Sequence, residues 1–433
     1  MIVRFWGAKG SLPSSMNSEN VRGRIKSALE LALAKGLSDV GEIDAFIDKK
    51  LPFGLRGTYG TNTPCVEIRD GDDVILCDAG TGLRDFGNHA LKSRDGKPDH
   101  YHILMSHFHW DHMQGFPFFA PGLIPGNRIT IYSCHEGAAE AFAIQHSAPF
   151  FPIDFKDLRA EVAFVRLYPG ETREISGFQI TPKSQVHPGI SYGYRLQKGG
   201  KSVVYSTDSE HRGDKAAQDF ITFFDGADFL IFDAQYTLAD AWTAKMDWGH
   251  SSNLIGVELA QKAGVKHLCL FHSDPVSTDE TLDKVLADTK RLALLMDEGG
   301  PLEVSVAYDG LVVELSQISG GKMEIDISKE NEAVLVTVKG RMDAVTSPDF
   351  QENLEGLVAN GERRIVVDCQ GLEYISSAGL RSILIISKSL KNEQGELALF
   401  GLNDMVREVF EISGFSTVIP IHESRDGALG GKA

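Results

Sequence analysis

The chain has 433 residues, 42% of them hydrophobic and 24% charged, with 43 Lys and Arg against 60 Asp and Glu for a formal charge of -17. That length suits two domains with sizeable cores, and the acidic balance disfavours bulk nucleic-acid binding or a seat on an anionic membrane. No apolar run approaches the roughly 18 residues of a membrane span; the opening Met1–Ser11 stretch lacks a leader pattern, and Cys65, Cys77, Cys134, Cys269 and Cys369 lie scattered, mostly in apolar runs without CxxC spacing, so the expectation is a reduced cytoplasmic protein.

Residues 1–12 and 63–80 read as strands, the second stretch as a hairpin with alternating apolar residues around an Asp70-Gly71 turn. Between them, residues 14–58 change character. Val21, Ile25, Leu29 and Ala32 recur at helical spacing up to Gly36, and Val40, Ile43, Phe46, Ile47 and Leu51 continue on a second short helix. This helical insertion fits a packing or homodimer appendage, or a lid over a site. A strand over 101–107 then runs into "SHFHWDHMQG", Ser106 to Gly115. Short strands follow at 129–133, 161–168, 177–187, 190–197 and 202–210, with a Lys198-Gly199-Gly200 hairpin turn. A buried strand over 227–236, a helix over 252–264, a strand over 267–272 and a helix over 278–296 come next, and residues 302–315 read as a last hairpin. Residues 317–322 are polar and Gly-rich, a linker. Beyond it the pattern restarts as alternating strands and helices over about one hundred residues, the usual size of a small domain.

The loop from Ser106 to Gly115 carries His107, His109, Asp111 and His112. His107 and His109 stand two apart after a strand and so share a direction; Asp111 and His112 follow at the turn. Imidazoles and carboxylates are the donors that borderline cations such as zinc prefer. One catalytic cation needs three protein ligands plus water, and four candidates with more to come suggest two. The later ones each end an apolar strand: His187, Asp208 and His272. A lone His in such a place is more often a hydrogen-bonded structural residue. Three polar strand ends beside a dense loop are a more specific pattern.

These motifs resemble the HxHxDH signature of the metallo-β-lactamase superfamily. "YGTNTPCVEI", "DAGTG", "DAQY", "WGHSS" and "LFHSDP" are similar to its phosphodiesterase and ribonuclease Z-like branch, over roughly residues 1–316. The resemblance implies an α/β fold of four αββα layers and two divalent metal ions per chain, zinc by default, with manganese or iron as alternatives. His107, His109 and His187 would hold one metal, Asp111, His112 and His272 the other, and Asp208 would bridge them. The nucleophile would be a hydroxide between the metals, oriented by Asp111. Asp78 would support the ligands from behind. His250 would serve the scissile phosphate as proton donor; its bland alternative is a neighbour of the helix cap at Ser251 or Ser252. His102, His135, His146, His211 and His267 match no metal position and read as structural or surface residues. Trp110, Trp248 and Tyr236 flank site segments, as core packing or as stacking platforms.

"VTVKGRMDAVTSPDF", "RIVVDCQGLEYISSAGLRSIL" and "FEISGFSTVIPI" are similar to a STAS domain, the small α/β fold of anti-sigma-factor antagonists, over residues 323–428. The resemblance implies a phosphosite at Ser377, an acidic neighbour at Asp343, and a serine kinase or anti-sigma-type protein as partner. The residue before the serine is commonly acidic in that family; here it is Ser376. The combined expectation is a hydrolase of a small, nucleotide-type phosphodiester coupled to a regulatory STAS domain. Two alternatives stay open: a partner-switching signalling protein whose metal site is structural or sensory, and a thioester hydrolase.

Overall fold

A computed structural model describes residues 1–93, 98–211, 215–235, 248–296, 302–315, 323–330, 333–342, 346–375, 377–403, 406–407, 409–410, 415 and 418–429. The proposed linker, Tyr236, Asp343 and Ser376 fall outside them, and Ser377 is described in its backbone alone. The first strands are β1 (Ile2–Gly7), β2 (Cys65–Asp70), β3 (Asp73–Cys77), β4 (His100–Met105), β5 (Arg128–Ser133) and β6 (Glu161–Arg166). Next come β7 (Arg173–Ile175), β8 (Phe178–Gln185), β9 (Ser191–Lys198), β10 (Lys201–Ser206), β11 (Phe229–Asp233) and β12 (His267–Phe271). Then follow β13 (Glu303–Val306), β14 (Val312–Glu314), β15 (Glu324–Glu330), β16 (Ala333–Met342), β17 (Arg364–Ile375), β18 (Glu396–Phe400) and β19 (Ile421–His422).

The chain divides into two units, Met1–Lys290 with Glu303–Ser316, and Arg291–Leu302 with Gln317–Ala433. The first holds two seven-stranded sheets, ordered β14-β1-β2-β3-β4-β5-β6 and β13-β12-β11-β10-β9-β8-β7. Their inner faces share one core: Val3, Phe5, Val66, Ile75 and Leu104 from the first sheet meet Phe178, Tyr194, Val203, Phe229, Ile231 and Phe271 from the second. Leu83, Phe86 and Ala90 of the helix Gly82–Ser93 cover the outer face of the first sheet. On the second sheet, Gly256 of the helix Asn253–Lys262 lies so close to Phe232 that a Cβ would come within 2.9 Å of its ring. These are the four αββα layers. Strand β11 is buried at every position, as a parallel strand covered on both faces must be, hence its unbroken apolar run.

The β2–β3 hairpin pairs Asp70 with Asp73 around Gly71. The expected last hairpin is not one. β13 pairs parallel with β12 in the second sheet, while β14 pairs antiparallel with β1 in the first. The Tyr308-Asp309-Gly310 turn carries the chain across the sandwich, because each short strand finds a longer edge partner than it would in the other. The insertion forms helices Ser18–Ala34, Ile43–Lys50 and Phe53–Arg56. Its apolar spacing does not make a buried face: Val21, Ile25 and Leu29 are 42–60% exposed. Other ties hold it: Arg24 pairs with Asp279, the Gly54 amide donates to Asp283 at 2.8 Å, and the Phe53 ring packs on Tyr308 at 4.5 Å.

The second unit has the sheet β15-β16-β17-β18-β19, with β15 antiparallel and the rest parallel. Phe350 and Leu354 of the helix Ser347–Ala359, and Ile383, Ile386 and Leu390 of the helix Ser377–Asn392, pack on Val336, Val338, Val367 and Leu399.

Phe229 is fully buried in the inter-sheet core, its ring 6.3 Å from that of Phe5. Phe229→Ala is expected to cost about 3–5 kcal/mol. Urea unfolding followed by near-ultraviolet circular dichroism measures it, and a loss under about 1 kcal/mol would contradict this packing.

Candidate metal centre

The parallel strands β3, β4, β10, β11 and β12 all run their C-terminal ends toward one rim, where the site forms. Three of the strands end in a left-handed residue: Asp78 after β3 (φ 62°), Asp208 after β10 (φ 52°) and His272 after β12 (φ 62°). Non-glycine residues rarely adopt this conformation, and each costs about 1–3 kcal/mol that the surrounding sheets must offset. The loop after β4 passes just as tightly over the loop after β3. A Cβ on Gly115 would lie 1.9 Å from the Gly80 carbonyl oxygen, so only glycine fits there.

The structure brings every sequence-predicted ligand to this rim. His107, His109 and His187 form one group of close donor atoms, and Asp111, His112 and His272 another. Within the first, His187 Nε2 lies 3.1 Å from His109 Nδ1. Within the second, Asp111 Oδ2 lies 3.2 Å from His112 Nε2 and 3.1 Å from His272 Nε2. Asp208 stands between them with its two oxygens divided. Oδ1 is 3.9 Å from His107 Nε2 and 3.8 Å from His187 Nε2. Oδ2 is 3.2 Å from His112 Nε2 and 3.5 Å from His272 Nε2.

Two of the imidazoles, His112 and His187, are tied to the protein on their far side. Asp78, fully buried, accepts from His112 Nδ1, the Ser106 amide, the Ser106 hydroxyl and the Tyr205 hydroxyl, each at 2.7 Å. That leaves His112 Nε2 to face the centre. His187 Nδ1 donates to the Gly249 carbonyl at 3.0 Å, so its Nε2 faces the centre too. Such contacts fix ring orientation and tautomer. On the other wall, the Ser11 amide donates to Asp111 Oδ2 at 2.8 Å, and Gly10 packs against His272, where a Cβ would come within 2.6 Å of Nδ1.

Burial lowers the His107, His109 and His187 pKa values below the ordinary one, which keeps these rings neutral with lone pairs available. Burial acts the same way on His112, but Asp111, Asp208 and Asp78 more than reverse it and hold it well above the ordinary value. Burial would raise Asp111 and Asp208; the histidines around them outweigh it and keep both ionised. The rim therefore demands positive charge. His107 Nε2 is buried without a hydrogen-bond partner among the described residues. Facing nitrogens, an orphaned lone pair and a carboxylate split between two groups fit divalent cations, and the nitrogen-and-oxygen donor set suits zinc, manganese or iron.

His250 also reaches the rim, its ring 5.3 Å from that of His187 and 5.2 Å from that of His272. Its Nδ1 donates to Asp233 Oδ2 at 2.8 Å. Burial lowers its pKa, Asp233 reverses that, and the net value rises to about 9. The helix cap is Ser252, whose hydroxyl accepts from the Ile255 amide. Asp233 escaped the sequence reading, although it ends an apolar strand as Asp208 and His272 do. Ser11 and Tyr205 gave no signal at all. Among the described residues, none of the close donor groups includes His102, His135, His146, His211 or His267.

Comparison with known proteins accords with this geometry. A Beta-lactamase superfamily domain model matches residues 74–273, and a STAS domain model matches 324–428. The second region is 41% identical over 106 residues to BtrV of Bordetella bronchiseptica, covering 24% of this chain and 91% of that one. The chain joins a metallo-β-lactamase superfamily domain to a STAS domain. The STAS domain is of the anti-sigma antagonist type: it is also 33% identical over 103 residues to an anti-sigma-B factor antagonist of Listeria monocytogenes, covering 24% of this chain and 90% of that one. The metallo-β-lactamase fold protein YhfI from Bacillus subtilis aligns with TM-score 0.48 and 19% identity over 72% of this chain and 98% of that one. The metallo-β-lactamase domain supports a metal-dependent hydrolase and the STAS domain a regulatory role. No helix among the described residues is long and apolar enough to cross a membrane.

Two measurements follow from this geometry. Asp78→Asn is expected to weaken metal binding about 10–100-fold, read by competition with a chromophoric chelator; unchanged affinity would remove Asp78 from the site's support. His211, 5% exposed and stacked on Phe232 at 5.3 Å, has its pKa lowered by burial to about 3. The unfolded chain binds this proton more readily, so the stabilising contribution is whole above pH 6.5 and falls away as the pH drops toward 3. His211→Phe should flatten the fall in melting temperature between pH 6.5 and 4, and an unaltered slope would refute it.

Proposed function

We propose that the metallo-β-lactamase domain is a dinuclear metal-dependent phosphodiesterase. The observation that carries this reading is the divided Asp208 carboxylate, one oxygen turned to His107 and His187 and the other to His112 and His272. His107, His109 and His187 would hold one cation, Asp111, His112 and His272 the other, with Asp208 shared. Two cations so held would lower the pKa of a shared water and neutralise phosphoryl oxygens.

The chain's own groups do the rest. Asp78 and the Gly249 carbonyl aim His112 and His187, and the Ser11 amide steadies Asp111. Asp233 accepts from His250 Nδ1 and so leaves its Nε2 as the position that would give a proton to the departing alkoxide. A phosphodiester has a poor leaving group, so that proton transfer should be worth about 10²–10⁴-fold. The position of Ser377 as the first residue of the helix Ser377–Asn392 favours a regulatory phosphosite: a phosphate there would meet the free amides that begin any helix. Its partner would be a serine kinase of the anti-sigma type.

Hydrolysis of bis(p-nitrophenyl) phosphate by zinc-, manganese- or iron-loaded protein tests this. Turnover is expected, with Asp208→Asn abolishing it; His250→Ala should reduce kcat by about 10²–10⁴-fold on an alkyl phosphodiester and far less on this aryl ester, whose p-nitrophenolate leaves without a proton. No turnover with any of the three metals would refute the phosphodiesterase reading.

A further inference from the structure

Two tryptophans beside the metal centre are not in the core. Trp110 is 76% exposed and Trp248 58%. Trp6 behaves differently: its ring packs edge-on against Phe86 and its Nε1 donates to Glu67 at 2.9 Å. Indole is the largest apolar side chain, and proteins normally cover most of it. Two indoles left in water at one rim call for a use.

Both stand on fixed posts. Trp110 lies between His109 and Asp111 and begins the short helix Trp110–Met113. Trp248 immediately precedes Gly249. His187 joins the two segments, with Nε2 3.1 Å from His109 Nδ1 and Nδ1 donating to the Gly249 carbonyl at 3.0 Å. The second segment comes in so closely that a Cβ on Gly249 would lie 2.3 Å from His187 Nδ1, and its φ of 81° suits glycine. Each indole is thus one residue from a group that orients or forms the His109–His187 pair.

We propose that Trp110 and Trp248 form a stacking site for the base of a small nucleotide phosphodiester whose phosphate sits at the metal centre. This rests on the phosphodiesterase reading and names its substrate class. An indole face stacks on any nucleobase, and such contacts are sequence-tolerant. The two indoles flank imidazoles and carboxylates, a mixed surface suited to a ligand with one flat apolar ring and one anionic group. The chain's charge of -17 favours a ligand of one or two phosphates over a long strand.

The test compares two substrates on metal-loaded protein: the p-nitrophenyl ester of adenosine 5′-monophosphate, and methyl p-nitrophenyl phosphate. The nucleoside ester should show a KM at least about ten-fold lower. Trp110→Ala and Trp248→Ala should each raise that KM by roughly ten- to hundred-fold and shrink the preference toward one, while Trp110→Phe and Trp248→Phe keep most of it. Equal KM values in the wild type, or a preference untouched by the alanine variants, would overturn the stacking site while leaving the phosphodiesterase reading intact. Should neither ester turn over, equilibrium binding decides. Adenosine 5′-monophosphate held more tightly than ribose 5-phosphate, with the difference lost in Trp110→Ala, supports the site on its own; equal binding overturns it.

Discussion

The buried carboxylate of Asp78 is the constraint on which the site depends. It accepts four hydrogen bonds, from the loop that carries the histidines, from His112 itself and from Tyr205 on the opposite sheet. Both sheets are therefore tied at the rim by one charged group. Asp78 can do this because β3 ends in a left-handed residue that lodges the carboxylate under the loop after β4. Removing its charge would leave an amide with the wrong donors, and His112 would lose both its tautomer and its orientation. The strain at Asp78, Asp208 and His272 is held by the buried sandwich core around Phe5, Phe229 and Phe271.

That dependence explains why the metallo-β-lactamase domain invests so heavily in a rigid frame. Its donor atoms belong to different strands and meet only if the strands end in register. The parallel pairing of β10, β11 and β12 ends the three strands together, so that Asp208, Asp233 and His272 leave them at one rim, Asp233 opposite Phe271 one residue earlier, and the loop after β4 supplies the other wall. The STAS domain is built differently. Its sheet and two covering helices form a closed apolar core, and its notable feature is a helix that opens on serine rather than a cluster of charged donors. One domain concentrates charge inside; the other is built around an apolar core. A hydrolase joined to such a module gains a regulatory input without any change to its buried site.

Much of this was readable from residues alone. The HxHxDH loop is legible because its donors are adjacent in sequence and follow a strand. His187, Asp208 and His272 are legible because polar residues rarely end apolar strands without a reason. Asp233 has the same local signature, but its role is visible only in its pairing with His250. Ser11 acts through its backbone amide, which no side-chain pattern reports. The turn at Asp309-Gly310 looks like a hairpin, yet turn chemistry records a reversal of the chain and not the sheet to which the next strand belongs. Helical spacing found the helices of the insertion, but spacing alone cannot say whether anything covers the stripe of Val21, Ile25 and Leu29, which is exposed.

Charge ties the site to its use. The side chains that converge at the rim are carboxylates and imidazoles, on a chain that is strongly acidic overall. Left to itself, such a rim would repel a phosphodiester. The same field attracts divalent cations, and the raised pKa of His112 shows how strongly it favours positive charge. Metal loading would therefore do more than activate water: it would reverse the sign of the local potential and so make an anionic substrate welcome. Affinity for the phosphate should then follow metal occupancy. Selectivity among phosphodiesters would then come from whatever touches the rest of the molecule, and among the described residues two exposed indoles, Trp110 and Trp248, adjoin the site segments.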